Sequence, residues 1–224
     1  MSKKIDRATH GPSWSEIILG IFLSLGLGIV LSAALLMLKP VVVAKEMPKE
    51  PEAGAVYYLE GGREAGKARQ APAKRAAFAQ GQSISVIEEE LNTLVAAPAA
   101  PTPAAKPGEA PPPAAGTLAT DTPNFRIHNG SLQIAVPVTV NAAGLSQKLT
   151  VVAQGKFAKQ GDRFVFDPES MYLGSCPVHR LPFVAGYVRS QFIDSQSIPE
   201  DLAAAWPKLA NVAIEGNTLT LTMP

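Results

Sequence analysis

The longest apolar stretch of the chain lies near its N-terminus. Residues 17–38 contain no charged side chain, and Ser24 and Ser32 are their only polar side chains. Because an α-helix rises about 1.5 Å per residue, a run of this length matches the roughly 30 Å of bilayer hydrocarbon. The pattern therefore predicts a transmembrane helix over residues 17–38, preceded by a tail of residues 1–16. A cleaved signal peptide is the competing interpretation, and its apolar part is usually shorter.

The charges around this helix do not decide its orientation by the positive-inside rule. Basic residues balance across it: Lys3, Lys4 and Arg7 come before, and Lys39, Lys45 and Lys49 come after. A short basic tail is typical of a signal anchor, which sends the long C-terminal part across the membrane. We therefore expect a cytoplasmic N-terminus and an extracytoplasmic C-terminal domain.

Small residues recur at every fourth position of the predicted helix, at Gly20, Ser24, Gly28 and Ser32. They share one side of the helix, where the backbone of a second helix can approach closely. This spacing predicts a helix-association face and self-association through the membrane helix. Chance is an equally good explanation, because small residues are common in transmembrane helices.

Residues 39–82 are predicted to be a juxtamembrane connector. They include a basic stretch that bears Arg63, Lys67, Arg69, Lys74 and Arg75. A solvated, alanine-rich connector is the favoured interpretation, because Gly66 and Pro72 interrupt any regular helix. Contact of the basic stretch with anionic lipid headgroups is the alternative.

The segment of residues 83–95 reads as an amphipathic helix. Ser85 and Glu88 fit a capping box. One apolar face is formed by Ile84, Ile87, Leu91, Leu94 and Val95. The acidic run Glu88–Glu90 suits the positive end of the helix dipole better than it suits a catalytic or metal-binding pair. Residues 96–124 follow as a proline- and alanine-rich spacer, either an insertion within one domain or a boundary between two.

Residues 125–224 carry the alternating pattern of β-strands. Strands are predicted near residues 132–140, 148–157, 163–167 and 218–223, as an antiparallel meander. Pro137 cannot donate a ladder hydrogen bond, which predicts an edge strand or a bulge there. Pro182 and Pro199 open two short helical patterns before the last strand. The predicted class is α+β: an N-terminal transmembrane helix, a proline-rich spacer, and an antiparallel sheet packed with two or three helices.

Composition and motifs argue against several classes of function. The net charge of +1 argues against a nucleic-acid-binding protein. Cys176 is the only cysteine, and although it forms a C-x-x-H motif with His179, no second pair completes a metal site. The chain also lacks the common nucleotide-binding, hydrolase and metalloprotease motifs. We therefore expect no catalytic residues, no cofactor, no metal and no enzymatic activity.

The order of short motifs resembles a known type of protein. These motifs are ISVIEEELNTL, NGSLQIAVPV, a Phe-Asp-Pro turn, YLGSCPVHRLP and the ending KLANVAIEGNTLTLTM. Over roughly residues 75–224 the chain resembles bacterial membrane-anchored extracytoplasmic proteins with a small α+β domain of the tubular lipid-binding type. The resemblance implies a helix against a curved sheet, with apolar surface that admits an acyl chain, and a location in the bacterial inner membrane.

The sequence therefore favours a non-enzymatic binding module, tethered to the bilayer, for a lipid, an acyl chain or another apolar ligand. The residues expected to line its ligand site are Ile87, Leu91, Leu94, Phe164, Phe166, Phe183 and Tyr187. The alternative is an envelope scaffold or protein-interaction protein that uses the proline-rich spacer to reach a partner. An energy transducer is less favoured, because residues 17–38 contain no ionisable side chain.

Overall fold

The computed structural model describes residues 12–46, 48–50, 52, 54–95, 118–142, 145–181, 183–194 and 199–224. Within them the chain is an α+β protein, as predicted, with antiparallel sheets and an apolar N-terminal helix. The helices are α1 (Trp14–Leu38), α2 (Ala71–Ala79), α3 (Glu88–Val95), α4 (Val184–Val188), continued by a π-helical segment (Arg189–Ile193), and α5 (Glu200–Ala205). The strands are β1 (Val42–Ala44), β2 (Tyr57–Leu59), β3 (Ile84–Ile87), β4 (Leu118–Thr120), β5 (Asn124–His128), β6 (Ser131–Ala142), β7 (Leu145–Gln160), β8 (Arg163–Leu173), β9 (Asn211–Glu215) and β10 (Thr218–Thr222).

Helix α1 contains the predicted span of residues 17–38. Ser13 caps its N-terminus through a capping box with Glu16. The helix is long and apolar enough to cross a membrane, and nearly all of its side chains are exposed. Ala33 and Met37, near its C-terminal end, pack against the core of the domain. These properties are compatible with a single-pass membrane anchor.

Three strands of the predicted antiparallel meander, β6, β7 and β8, are confirmed as neighbours in the five-stranded sheet. The fourth strand, predicted at residues 218–223, does not belong to this meander, because β10 pairs with β3 and β9 in a second sheet. Strand β6 is not an edge strand, because β4 and β5 both pair with its other side. Pro137 lies where the neighbour of β6 changes from β4 to β5, and its carbonyl accepts from the Asp121 N–H at 2.9 Å. In an antiparallel strand the N–H and C=O of one residue point to the same side. The N–H that Pro137 lacks would therefore point to the gap between β4 and β5.

The second sheet has the order β3-β10-β9 and corrects the predicted helix at residues 83–95. Residues 84–87 form strand β3, and the helix begins at Glu88. Ile84 and Val86 alternate into the core while the Ser85 hydroxyl lies 3.4 Å from that of Thr220 on β10. The predicted capping box of Ser85 and Glu88 is therefore not formed.

The predicted connector of residues 39–82 belongs to the domain instead. Pro72 lies in the first turn of α2, where its missing N–H is not needed, and Ala71 and Phe78 are buried in the core. Tyr58 is buried against the outer face of the five-stranded sheet. One domain is thus built from both sides of the proline-rich stretch, which enters it as an insertion.

The predicted spacer of residues 96–124 is shorter than expected at its C-terminal end. Residues 96–117 lie outside the described part of the chain, whereas residues 118–120 form β4 and Asn124 begins β5. The boundary predicted at residue 125 is therefore wrong. Asn124 is buried and hydrogen-bonded, which ties this end of the stretch into the sheet.

Candidate functional site

An open groove of about 450 Å³ lies between α1 and the segment Cys176–Leu181, which follows β8. One wall is the α1 surface from Ser24 to Leu36, and the other is formed by Cys176, Pro177, Arg180 and Leu181. Among the described residues that line the groove, most are apolar and Arg180 is the only charged one. The groove therefore suits an elongated apolar molecule with an anionic end.

A set of hydrogen bonds at the end of α1 builds this groove. The Ser175 N–H donates to the carbonyl oxygen of Leu36 at 2.9 Å and to that of Lys39 at 3.0 Å. The helical donor for Leu36 would be residue 40, but Pro40 has no N–H. Ser175 therefore replaces the missing intrahelical donor, and its hydroxyl donates to the Pro40 carbonyl at 3.3 Å.

Gly174 allows the domain to approach α1 this closely. Its φ of +57° lies in the left-handed region, and a Cβ at this position would collide with the Met37 carbonyl oxygen. Its own N–H donates to the Thr150 carbonyl at 2.9 Å. The groove is therefore fixed to the sheet on one side and to α1 on the other.

The C-x-x-H motif serves structural roles within this wall. Cys176 is a free, buried thiol, and burial raises its pKa. The Nδ1 atom of His179 lies 3.0 Å from the Met171 carbonyl oxygen on β8, and the ring packs edge-on against Tyr172. Among the described residues, no group of three or more His, Cys, Asp or Glu side chains could hold a metal ion.

Side chains also occupy the outer edge of β8. The Trp206 Nε1–H donates to the Phe164 carbonyl at 2.7 Å, and Arg189 Nη2 donates to the Phe166 carbonyl at 3.0 Å. These two groups and His179 cover backbone positions that an added strand would need. Strand addition at these positions of β8 is therefore blocked.

The edge of β5 is closed in the same way by Asn92. Its side-chain oxygen accepts from the Phe125 N–H at 2.7 Å, while its Nδ2 donates to the Phe125 carbonyl at 2.8 Å and to the Gly62 carbonyl at 3.0 Å. One Oε of Glu88 accepts from the Ile127 N–H at 3.3 Å, and the other from the Gly62 N–H at 3.0 Å. The E-x-x-x-N motif thus joins the segment after β2 to the sheet.

Buried polar groups extend this network. The Oδ1 atom of Asn124 accepts from the Tyr58 hydroxyl and from the Gly61 N–H. Burial raises the pKa of Tyr58 well above its usual range, so the phenol remains a donor. The network fixes the position of residues 58–62 against the sheet.

The other acidic residues and most of the predicted basic stretch pair with partners in the domain. Lys67 lies 3.2 Å from Glu89, and hydrogen bonds to Glu89 and Glu64 raise the pKa of Lys67. Lys74 lies 2.7 Å from the buried Glu90. These pairs give the acidic run a structural role, so a catalytic or metal site does not follow from it.

The structure does not bring the seven predicted lining residues together in one cavity. Leu94 and Phe164 are buried in the core, Leu91 and Phe166 pack against it, and Ile87 pairs with Thr218 in the second sheet. Phe183 and Tyr187 are exposed instead. The 450 Å³ groove and a second one of about 240 Å³, near Tyr57 and Tyr172, are lined by other residues.

The predicted helix-association face coincides with part of the groove. Ser24, Gly28 and Ser32 line its α1 wall, whereas Gly20 does not. Sequence reasoning found these three residues but missed the opposite wall at Cys176–Leu181. The signal for that wall was Pro40, which leaves the Leu36 carbonyl without its helical donor.

Known proteins give no further guide to this site. No family model, curated protein or solved structure matches the chain. A proposal for the function of this chain therefore rests on the geometry of the groove.

Proposed function

We propose that this chain is a single-pass membrane protein whose domain binds a lipid in the groove between α1 and Cys176–Leu181. The proposal rests on the groove itself, which lies between an apolar helix and a predominantly apolar loop. Its volume of about 450 Å³ falls within the roughly 300–1,000 Å³ typical of small-molecule sites. The protein acts as a binding module and not as an enzyme.

The chemistry of the two walls favours a lipid as the occupant. If α1 spans the bilayer, its wall from Ser24 to Leu36 lies beside acyl chains, so a lipid enters the groove without crossing water. Arg180 lies exposed at the opposite wall and supplies a cation for a lipid phosphate. The acyl chain then packs along α1 and the headgroup meets Arg180.

We propose that the N-terminus lies in the cytoplasm and the domain lies outside the inner membrane of a bacterium, because basic residues ahead of an apolar helix are typical of a signal anchor. An alkaline phosphatase fusion to the C-terminus tests this placement. An active fusion is expected. An inactive fusion, together with an active β-galactosidase fusion at the same position, would contradict it.

Native mass spectrometry of the full chain, released from mild detergent, tests lipid binding. We expect a retained lipid on the wild type and its loss in Gly28→Leu, whose side chain enters the groove. Gly26→Leu is the matched control, because Gly26 is on the same helix but does not line the groove. A wild type without lipid, or equal retention by both variants, would contradict the proposal.

The scaffold alternative stays a prediction. The proline-rich stretch begins after α3 and ends at β4, and both elements contact β5 or β6 of the same sheet. It therefore does not separate the domain from α1. A partner of this stretch would be a second function, distinct from the groove.

A further inference from the structure

Exposed apolar side chains outside α1 concentrate near the end of that helix. In the described part of the chain the large ones are Val42, Val43, Phe183 and Tyr187. The two valines lie within five residues of the end of α1, and Phe183 comes two residues after Leu181, which lines the groove. The domain thus presents an apolar edge beside the helix that can cross the membrane.

The backbone holds the Phe183 ring outward. Phe183 is 94% exposed and has a φ of +67°, a left-handed conformation that costs a non-glycine residue about 1–2 kcal/mol. Tyr187 is 58% exposed and lies one helical turn later, with its N–H 3.3 Å from the Phe183 carbonyl. The two exposed rings therefore lie four residues apart on this edge.

The charged side chains between residues 170 and 193 are all basic. No Asp or Glu occurs from Ser170 to Ile193, and Arg180 is exposed. Arg189, by contrast, is bonded to the Phe166 carbonyl and lies 3.5 Å from Asp194. Arg180 thus combines with two exposed aromatic rings, which is the composition of a surface that meets anionic lipid.

We propose that the edge that bears Arg180, Phe183 and Tyr187 inserts into the interfacial layer of the bilayer that α1 crosses. The Phe183 ring enters the acyl boundary, and Tyr187 keeps its hydroxyl among the headgroups while its ring lies deeper. Arg180 meets lipid phosphate. This proposal requires α1 to span the bilayer, but it does not require a lipid in the groove.

The insertion gives the domain two attachments to the membrane, and it sets the domain's tilt. One is the Ser175 junction with α1, and the other is the Phe183 edge. Strand β8 runs from Leu173, at the junction, back to Arg163 over 11 residues, a distance of about 35 Å. The turn at Gly161 is therefore far from the junction and provides a reference site in water.

Depth-dependent fluorescence quenching tests the proposal. The full chain carries Cys176→Ala, and the dye NBD is attached at Phe183→Cys or, as the control, at Asp162→Cys. Each protein is placed in nanodiscs of phosphatidylcholine and phosphatidylglycerol, one chain per disc. At position 183 we expect blue-shifted emission, at least twofold stronger quenching by doxyl-labelled lipid than at position 162, and weak quenching by iodide.

The same experiment can overturn the proposal. If iodide quenches position 183 as strongly as position 162, the edge lies in water. If neither iodide nor doxyl lipid quenches position 183, protein covers it. Adding Arg180→Gln should reduce doxyl quenching at position 183 in anionic discs but not in discs of phosphatidylcholine alone. An equal effect in both would contradict the role of Arg180. A groove empty of lipid, seen by mass spectrometry, would leave all of these readings unchanged.

Discussion

The backbone N–H of Ser175 donates to the carbonyl oxygen of Leu36, the acceptor that Pro40 leaves without a helical partner. Because Ser175 lies directly after the glycine that follows β8, this bond joins the end of the apolar helix to the end of β8, an edge strand of the five-stranded sheet. The protein is therefore not a domain on a long flexible tether. Its groove exists because the two parts meet.

Gly174→Ala should loosen this junction. The new Cβ collides with the Met37 carbonyl and also places alanine at a positive φ. We expect a loss of about 3 kcal/mol in the free energy of unfolding and faster hydrogen exchange at the Ser175 N–H. Gly161→Ala is the control, since Gly161 has a φ of +62° but open space around it, so the change should cost only about 1 kcal/mol. Equal losses in the two variants would show that the contact with α1 contributes nothing.

Asn92→Ala should destabilise the domain by about 3 kcal/mol in urea unfolding. The variant leaves the Phe125 N–H, the Phe125 carbonyl and the Gly62 carbonyl without their partner. Thr93→Ala is the neighbouring control, because its exposed hydroxyl only returns to the Glu89 carbonyl within α3, and it should cost under about 0.5 kcal/mol. A cost below 1 kcal/mol for Asn92→Ala would contradict the edge-closing role.

Stability should depend on pH through Asp201, which bridges α5 to Arg75 of α2 with two bonds of 2.6 Å. Hydrogen bonding to Arg75 lowers the pKa of Asp201 below its ordinary value of 3.8. The carboxylate therefore stabilises the fold fully above about pH 4, and this contribution disappears as the pH falls through the lowered pKa. The stability difference between wild type and Asp201→Asn, from urea unfolding at several pH values, should shrink toward acid. A difference that does not change with pH would contradict the pairing.

Trp206→Phe isolates the hydrogen bond at the edge of β8. Phenylalanine retains an aromatic ring near Phe157, which the indole contacts at 5.6 Å between ring centroids, but it cannot donate to the Phe164 carbonyl. A loss of about 1 kcal/mol is expected in thermal or urea unfolding. Trp14→Phe, the same substitution at an exposed site on α1, should leave the domain unchanged. If the two variants are equally stable, the bond does not stabilise the edge.

Local pattern predicted much of the fold. Alternation between residues 131 and 140 identified β6, and the absence of charge over residues 17–38 identified α1. The segment at residues 84–87 was assigned wrongly because Ile84, Ile87 and Leu91 fit a helical face while Ile84 and Val86 also fit a strand. Pairing with β10, which is distant in sequence, decides between the two.

The groove was harder to predict than the fold. Its walls are distant along the chain, as the Ser175–Pro40 hydrogen bond across 135 residues shows. The predicted ligand-lining residues were chosen from the apolar faces of helices and strands. Most of these residues pack in or against the core, as Leu94 and Phe164 do. Apolar periodicity identifies what becomes buried, but it does not indicate which surfaces remain open.

Photolabelling with a phospholipid that carries a diazirine on its acyl chain tests the central claim most directly. Labelled peptides are mapped in the full chain, reconstituted in bilayers. We expect label on α1 and also on the peptide Cys176–Leu181 in the wild type and in Gly26→Leu. In Gly28→Leu the label on Cys176–Leu181 should be at least fivefold weaker. Label confined to α1, or a Cys176–Leu181 signal that Gly28→Leu leaves unchanged, would contradict lipid binding in the groove.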